Sequence, residues 1–370
     1  MSPKIKVLFL LEAFDKGGIE KVTLDIVNHL DPAVYDITVQ TFWFGGHCQS
    51  QVAPHVKVIP FFFRRYVRGI IRLIDLLSPR MLYRLFVHGD YDVEIAASDG
   101  GAAKVISGST NPHSRKICWV HMDVVERGSK LKEFANADTA HHIYSRFDVI
   151  APVSAACRDQ FVKKFGESYP LHVVHNPMPV QNILSKSTEF AVDLPKDRLN
   201  FVCIGRLVEQ KGFDRLLEAC AIVKQTTDRP FHVYIIGEGI LRPQLEAFIT
   251  NHALTSTVTL LGFQKNPYPY LKGADAFFLS SRDEAFPLVV GESLVVGTPV
   301  LATDCSGVCE WLANGTYGMI LENSTTGILY GMQAVLGEPA ILHTYRKKIP
   351  EAQKNLSFEQ GLQDFEAILR

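Results

Sequence analysis

No stretch of this 370-residue chain approaches the roughly 20 uncharged apolar residues that a membrane-spanning helix needs. Nothing at its start reads as a secretory leader. Excess charge is also missing: the formal net charge is −1, which gives no case for nucleic acid as a partner. There is no GxGxxG dinucleotide fingerprint, so a nicotinamide or flavin role has no support. Paired cysteine is missing too: the seven (Cys48, Cys118, Cys157, Cys203, Cys220, Cys305 and Cys309) are odd in number and lie mostly inside apolar runs. Cys305 and Cys309 form the one close pair and read as small core residues, and no metal-ligand spacing accompanies them. The expectation is a cytoplasmic protein in a reducing compartment, free or resting on a membrane surface, with no metal and no cofactor.

What is present is apolar sequence, 47% of the chain, enough for two ordinary domains with full cores. Ile5 to Leu11, IKVLFLL, is too uniform to have a wet face, as expected of a strand in a parallel sheet covered on both sides. A turn containing Gly17-Gly18 leads into a helical pattern with Val22, Ile26, Val27 and Leu30 on one face. Paired glycines let a backbone approach a ligand closely, though a plain turn would use them equally well. Further strands are read at Asp36 to Phe42, Val56 to Phe63, Tyr91 to Ala97, Lys116 to His121 and Phe147 to Ser154. His121 then stands at a strand's carboxyl end, where such sheets bind ligands; a histidine there is either a ligand contact or a satisfied structural group. Asp90-Tyr91-Asp92 has the form of a metal-binding DxD, but it leads into a strand rather than following one.

Residues 64 to 88 differ from their surroundings. Arg64, Arg65, Arg68, Arg72, Arg80 and Arg84 interleave with aliphatic side chains, and only Asp75 opposes them. The pattern fits a basic amphipathic helix pair broken near Ser78-Pro79. Either it is a core-facing pair with a solvated basic side, or it meets anionic lipid headgroups or the phosphates of a lipid-linked acceptor.

After Asn176-Pro177-Met178-Pro179 and a polar stretch to Lys196, read as a linker, the α/β alternation restarts. Strands are read at Leu199 to Gly205, Phe231 to Ile236, Val258 to Leu261, Ala276 to Leu279 and Val300 to Ala302. Two doubly wound halves with a cleft between them are the expected architecture. Arg206 and Lys211 both follow a strand's carboxyl end, where they could neutralise a pyrophosphate or simply meet solvent. The stretch Phe277 to Pro299 passes from strand to loop to helix, with Pro287 at the expected first helical position. The free amides of Leu288, Val289 and Val290 then offer an anion site. Glu284 before that terminus and Glu292 one turn inside it could accept hydrogen bonds from hydroxyls flanking the phosphates. Taken alone, the two carboxylates fit equally a helix-dipole partner and a solvated residue.

The order Gly17-Gly18, His121, Asn176-Pro177, Gly205-Arg206-Leu207 with Lys211-Gly212, Gly237-Glu238-Gly239, Gly262-Phe263 and Ser281-Arg282-Asp283-Glu284-Ala285-Phe286-Pro287 with Glu292 resembles glycosyltransferase family 4. The resemblance covers essentially the whole chain. It implies the GT-B fold, an α/β pair of Rossmann-like doubly wound domains with the active site in the interdomain cleft. The implied division is residues 1–178, residues 179–354, and a last helix at 355–370 packing back on the first domain. It further implies a retaining, metal-independent transfer from a nucleotide sugar, with UDP the expected nucleotide, to a glycan or lipid-linked glycan acceptor. Arg206 and Lys211 would bind the donor diphosphate, Glu292 the ribose and Glu284 the sugar hydroxyls, with His121 approaching the sugar. Gly17, Gly18, Gly237, Phe286, Leu288 and Val289 would complete the donor site, and Arg64, Arg65, Arg68 and Arg72 would face acceptor or membrane. Ala285 and Pro287 stand where this family often has glycine, which leaves the sugar open. The rival readings are an epimerase or hydrolase of the same fold, and a sugar-binding subunit without catalysis.

Overall fold

The computed structural model describes residues 3–14, 17–43, 46, 49–62, 76–98, 100–121 and 137–370. Arg64, Arg65, Arg68 and Arg72 lie outside the described residues. The chain forms two compact units, one of residues 1–177 with 358–370, the other of residues 178–357.

The first unit contains β1 (Ile5–Leu11), β2 (Tyr35–Trp43), β3 (Lys57–Phe62), β4 (Val93–Ala96), β5 (Arg115–Val120) and β6 (Val149–Pro152). They form one parallel sheet in the order β3-β2-β1-β4-β5-β6. The uniform apolar character of β1 has its reason here, since Val7 to Leu11 are all buried. The helix Phe358–Leu369 belongs to this unit. Phe365 is fully buried, with its ring 6.0 Å from Phe9 and 4.9 Å from Trp119, and the Ile368 carbonyl accepts from Arg115 Nε at 2.8 Å.

The second unit repeats the plan with β7 (Leu199–Ile204), β8 (Phe231–Ile236), β9 (Val258–Gly262), β10 (Ala276–Leu279), β11 (Val300–Thr303) and β12 (Gly318–Leu321). Its order is β12-β11-β10-β7-β8-β9, again parallel throughout. Adjacent residues of β10 enter opposite cores. Phe278 packs in the layer of Leu216, Val233 and Met332, and Phe277 in the layer of Val290, Leu294 and Leu312. Burying each such ring stabilises the unit by about 1.5–3 kcal/mol.

The polar stretch expected to be a linker carries the helix Val180–Lys186, whose Ile183 is buried in the same layer as Val290 and Leu294. Met178, Ile183 and Leu194, all buried in that layer, convert the segment from spacer to part of the core. Among the described residues no helix is long and apolar enough to cross a membrane.

Both sheets reverse their winding at one point: between β1 and β4 in the first, and between β7 and β10 in the second. At such a point the loops leaving the two strands diverge to opposite faces and open a crevice at the strands' carboxyl ends.

Candidate active site

The crevice of the second unit is edged by the loop after β7, which carries Arg206 and Lys211, and the loop after β10, which carries Glu284. The chain keeps these loops together with many bonds. Ser280 Oγ donates to the Lys211 carbonyl at 2.9 Å, Gln210 Nε2 to the Asp283 carbonyl at 2.9 Å, and the Arg282 amide to the Gln210 carbonyl at 2.7 Å. Arg282 also forks onto Asp214, at 2.8 and 2.5 Å. Burial alone would raise the Asp214 carboxyl, but these hydrogen bonds prevail and hold it below the usual range. Gly212 turns the first loop into the helix Phe213–Thr226 at φ 62°, and a Cβ there would collide with the Ser280 carbonyl.

Within this frame, Lys211 Nζ forms an ion pair with Glu284 Oε1, side chains 73 positions apart in sequence, 17% and 11% exposed. Ser281 Oγ donates to the same oxygen at 2.7 Å. Among the described residues no donor reaches Oε2. The Ser281 carbonyl is in turn held by Thr303 Oγ1 at 2.6 Å and by the Cys305 thiol at 3.0 Å, so the end of β11 braces the loop after β10. Burial pushes the Cys305 thiol up to about 12, so it stays a protonated donor, and its reading as a core residue holds. Cys309 departs from that reading: it is half-buried, and its thiol reaches Asp304 Oδ1 at 3.6 Å.

Arg206 is the contrast to Lys211. It is exposed, and among the described residues its guanidinium has no partner. Its backbone is set by two glycines: Gly237 (φ 148°) packs so closely that a Cβ would strike the Gly205 carbonyl, and one at Gly239 would strike that of Leu207. The Leu207 amide completes the seam by donating to the Glu238 carbonyl at 2.9 Å.

The helix Leu288–Val296 starts one residue later than expected. Pro287 is its N-cap (φ −68°, ψ 100°), not its first residue, because the proline ring restricts φ but leaves ψ free to be extended. The Val290 amide is spent on the Pro287 carbonyl at 3.0 Å, which leaves Leu288 and Val289 as the open amides. Phe286 stacks on Trp311, centroids 4.4 Å apart, and both the Trp311 ring and Met178 crowd Gly291, where a Cβ would lie 2.6 Å from each. Glu292 is buried and accepts from the Tyr268 hydroxyl at 3.2 Å. Tyr268 carried no signal in the sequence; Ser281 did, as part of the motif around Glu284.

The first unit holds the remaining candidates. His121 directly follows β5, with its ring 4.3 Å from Trp119, and burial pushes the imidazole down to about 3, so it is neutral near pH 7. Gly17 is the N-cap of the helix Gly18–His29, and the Glu20 carboxylate lies back where a Gly17 Cβ would be. Asp92 is spent on the Lys6 amide at 2.8 Å.

The Glycosyltransferase Family 4 model matches residues 16–182 and the Glycosyl transferases group 1 model residues 185–349. The N-acetylgalactosamine-N,N'-diacetylbacillosaminyl-diphospho-undecaprenol 4-alpha-N-acetylgalactosaminyltransferase of Campylobacter jejuni is 30% identical over 209 residues, 56% of this chain and 55% of that protein. The lipopolysaccharide core biosynthesis glycosyltransferase LpsE of Rhizobium meliloti is 30% identical over 131 residues, 35% of this chain and 37% of that one. The matches thus span about half or less of these curated relatives. Anabaena HepE, solved in complex with UDP and glucose, superposes with a TM-score of 0.78 at 19% identity, covering 99% of both chains. At that identity the likeness is one of fold.

Proposed function

The chain belongs to the GT-B glycosyltransferases, with a family 4 domain followed by a group 1 domain, and from that premise we propose a retaining, metal-independent transferase. It moves a sugar from a UDP-sugar to a hydroxyl of a lipid-linked glycan at the cytoplasmic face of a membrane. The observation that carries the reading is the convergence of Arg206, Lys211 and Glu284 at the β7/β10 crevice, beside a helix start with two open amides. The UDP in the HepE complex supports the choice of nucleotide, and the diphospho-undecaprenol in the Campylobacter relative's name supports a lipid-linked acceptor.

In this reading Arg206 and the amides of Leu288 and Val289 take the donor diphosphate, and Lys211 joins them as it leaves Glu284. Glu284 then accepts from a sugar hydroxyl, and Glu292 from the ribose. The sugar's anomeric C–O bond breaks and its electron pair goes to the diphosphate oxygen. Charge developing there is stabilised by the two cations and the helix amides, a contribution worth about 2.7–4 kcal/mol per donor. The acceptor hydroxyl attacks from the face the diphosphate leaves, and its proton passes to the departing phosphate. Because the two cations carry the neutralising charge, the reaction as written uses no metal ion.

The test is a thermal-shift panel of nucleotide sugars on wild type and Arg206→Ala. A ligand that binds only the folded state at 100 times its Kd stabilises by about 2.7 kcal/mol. A UDP-sugar should raise the wild-type melting temperature and leave the variant unmoved. No shift with any nucleotide sugar would overturn the reading.

A further inference from the structure

The short helix Pro79–Phe86 has an outward half that an ordinary solvated helix would not show. Its inward residues Leu82, Tyr83 and Phe86 are buried, and the seating is firm. Phe86 packs edge-on against Phe42 at 5.1 Å, and Tyr83 donates to the buried Glu94 at 2.6 Å. Gly108 lies so close to the helix start that a Cβ would strike the Pro79 carbonyl. At 100° per residue, Met81 and Leu85 lie 40° apart on the opposite side, with Arg84 and Arg80 next to them.

That outward half therefore consists of two apolar and two cationic side chains, with no carboxylate. Met81 is 55% and Leu85 42% exposed, and Leu76, just ahead of the helix, is 82% exposed. Arg80 and Arg84 are exposed too, and among the described residues neither has a partner. Scattered exposed aliphatic residues are commonplace on protein surfaces. Two of them side by side on one seated helix, flanked by two arginines that have no partner among the described residues, match the interface of a bilayer, where apolar side chains enter the acyl boundary and arginines meet headgroup phosphates.

We propose that the face formed by Arg80, Met81, Arg84 and Leu85 docks the first unit on an anionic lipid surface. The proposal rests on the reading of a membrane-borne acceptor and names the protein's own contact with that membrane. The lipid is chosen over a protein partner by charge: the face carries only positive groups among its ionisable residues. In the sequence, Arg64, Arg65, Arg68 and Arg72 precede it against a single Asp75.

Co-sedimentation of the full chain with phosphatidylglycerol-containing and with pure phosphatidylcholine vesicles tests the proposal. Wild type should pellet with the anionic vesicles at low salt, stay in solution with the neutral ones, and release near 1 M salt, where charges a few ångströms apart are screened. Arg80→Ser with Arg84→Ser should weaken partitioning about 25-fold, at about fivefold for each arginine near the surface. Met81→Ser with Leu85→Ser should weaken it by about tenfold or more, with the salt response intact. Each variant's melting temperature and its shift with UDP-sugar are read on the same samples; both should match wild type, since the changed side chains point to solvent in the first unit. If wild type ignores anionic vesicles, or both double variants bind as well as wild type, the docking face is refuted while the nucleotide-sugar reading stands. Concentration-dependent dimers that the variants abolish, without vesicle binding, would refute it in favour of a second copy of the chain.

Discussion

Replacing Glu284 by glutamine should improve the binding of UDP while damaging transfer, an opposition that follows from the Lys211 ion pair. Lys211 Nζ is committed to Glu284 Oε1, and Ser281 Oγ donates to the same atom at 2.7 Å. A diphosphate must draw the ammonium away from a carboxylate of its own chain. Glutamine keeps the side chain's size and can still accept from Ser281, but it removes the charge that competes with phosphate. A charge-assisted hydrogen bond nets about 1.5–3 kcal/mol. If UDP recovers half of that, its Kd should fall about 4- to 12-fold in Glu284→Gln. The sugar hydroxyl meanwhile loses its anionic acceptor, and the full 1.5–3 kcal/mol withheld from the transition state lowers kcat/KM about 10- to 150-fold. Isothermal titration with UDP and initial rates with the UDP-sugar selected by the thermal panel measure both sides. A UDP affinity that falls together with turnover would refute the exchange, because Lys211 would then not pass from carboxylate to phosphate.

Other perturbations separate site from scaffold. Arg206→Ala should lower turnover on the order of 10²-fold or more with its melting temperature intact, since that guanidinium is exposed and unpartnered among the described residues. Lys211→Ala should slow transfer comparably and also destabilise the fold, because it strands a carboxylate whose side chain is only 11% exposed. Phe365→Ala should cost about 3–5 kcal/mol in chemical denaturation, since the ring is fully buried beside Phe9 and Trp119. His121 is depressed to about 3 in the fold, so the unfolded chain alone takes up its proton between about pH 6.5 and that value. Stability should accordingly fall as pH drops through this window, by at most about 1.4 kcal/mol per unit from this group, and His121→Gln should flatten the slope.

The strands were legible because Val7 to Leu11 of β1, Phe201 to Cys203 of β7 and all of β10 are buried and so read as apolar runs. The pairing order was not, since it depends on which runs come together across the sheet. Arg206, Lys211 and Glu284 were visible as charged residues after strand ends, but the ion pair was hidden, with its partners 73 residues apart. Lys211 consequently read as a loop cation when it is mostly enclosed. Glu292 offered two readings, and its burial against Tyr268 removes the solvated one. The helix Val180–Lys186 is not legible, because a polar sequence with a single deep anchor, Ile183, has too little periodicity to declare itself. Pro287 sits one position before the expected one because its fixed φ suits both the N-cap and the first helical residue.

A crystal structure of the protein with UDP tests the central claim most directly. The account predicts the diphosphate at the carboxyl ends of β7 and β10, touching Arg206 and the amides of Leu288 and Val289, with Lys211 turned from Glu284 to phosphate and Glu292 on the ribose. A nucleotide bound elsewhere, or one bound here with the Lys211 to Glu284 pair intact and Arg206 still in solvent, would contradict it.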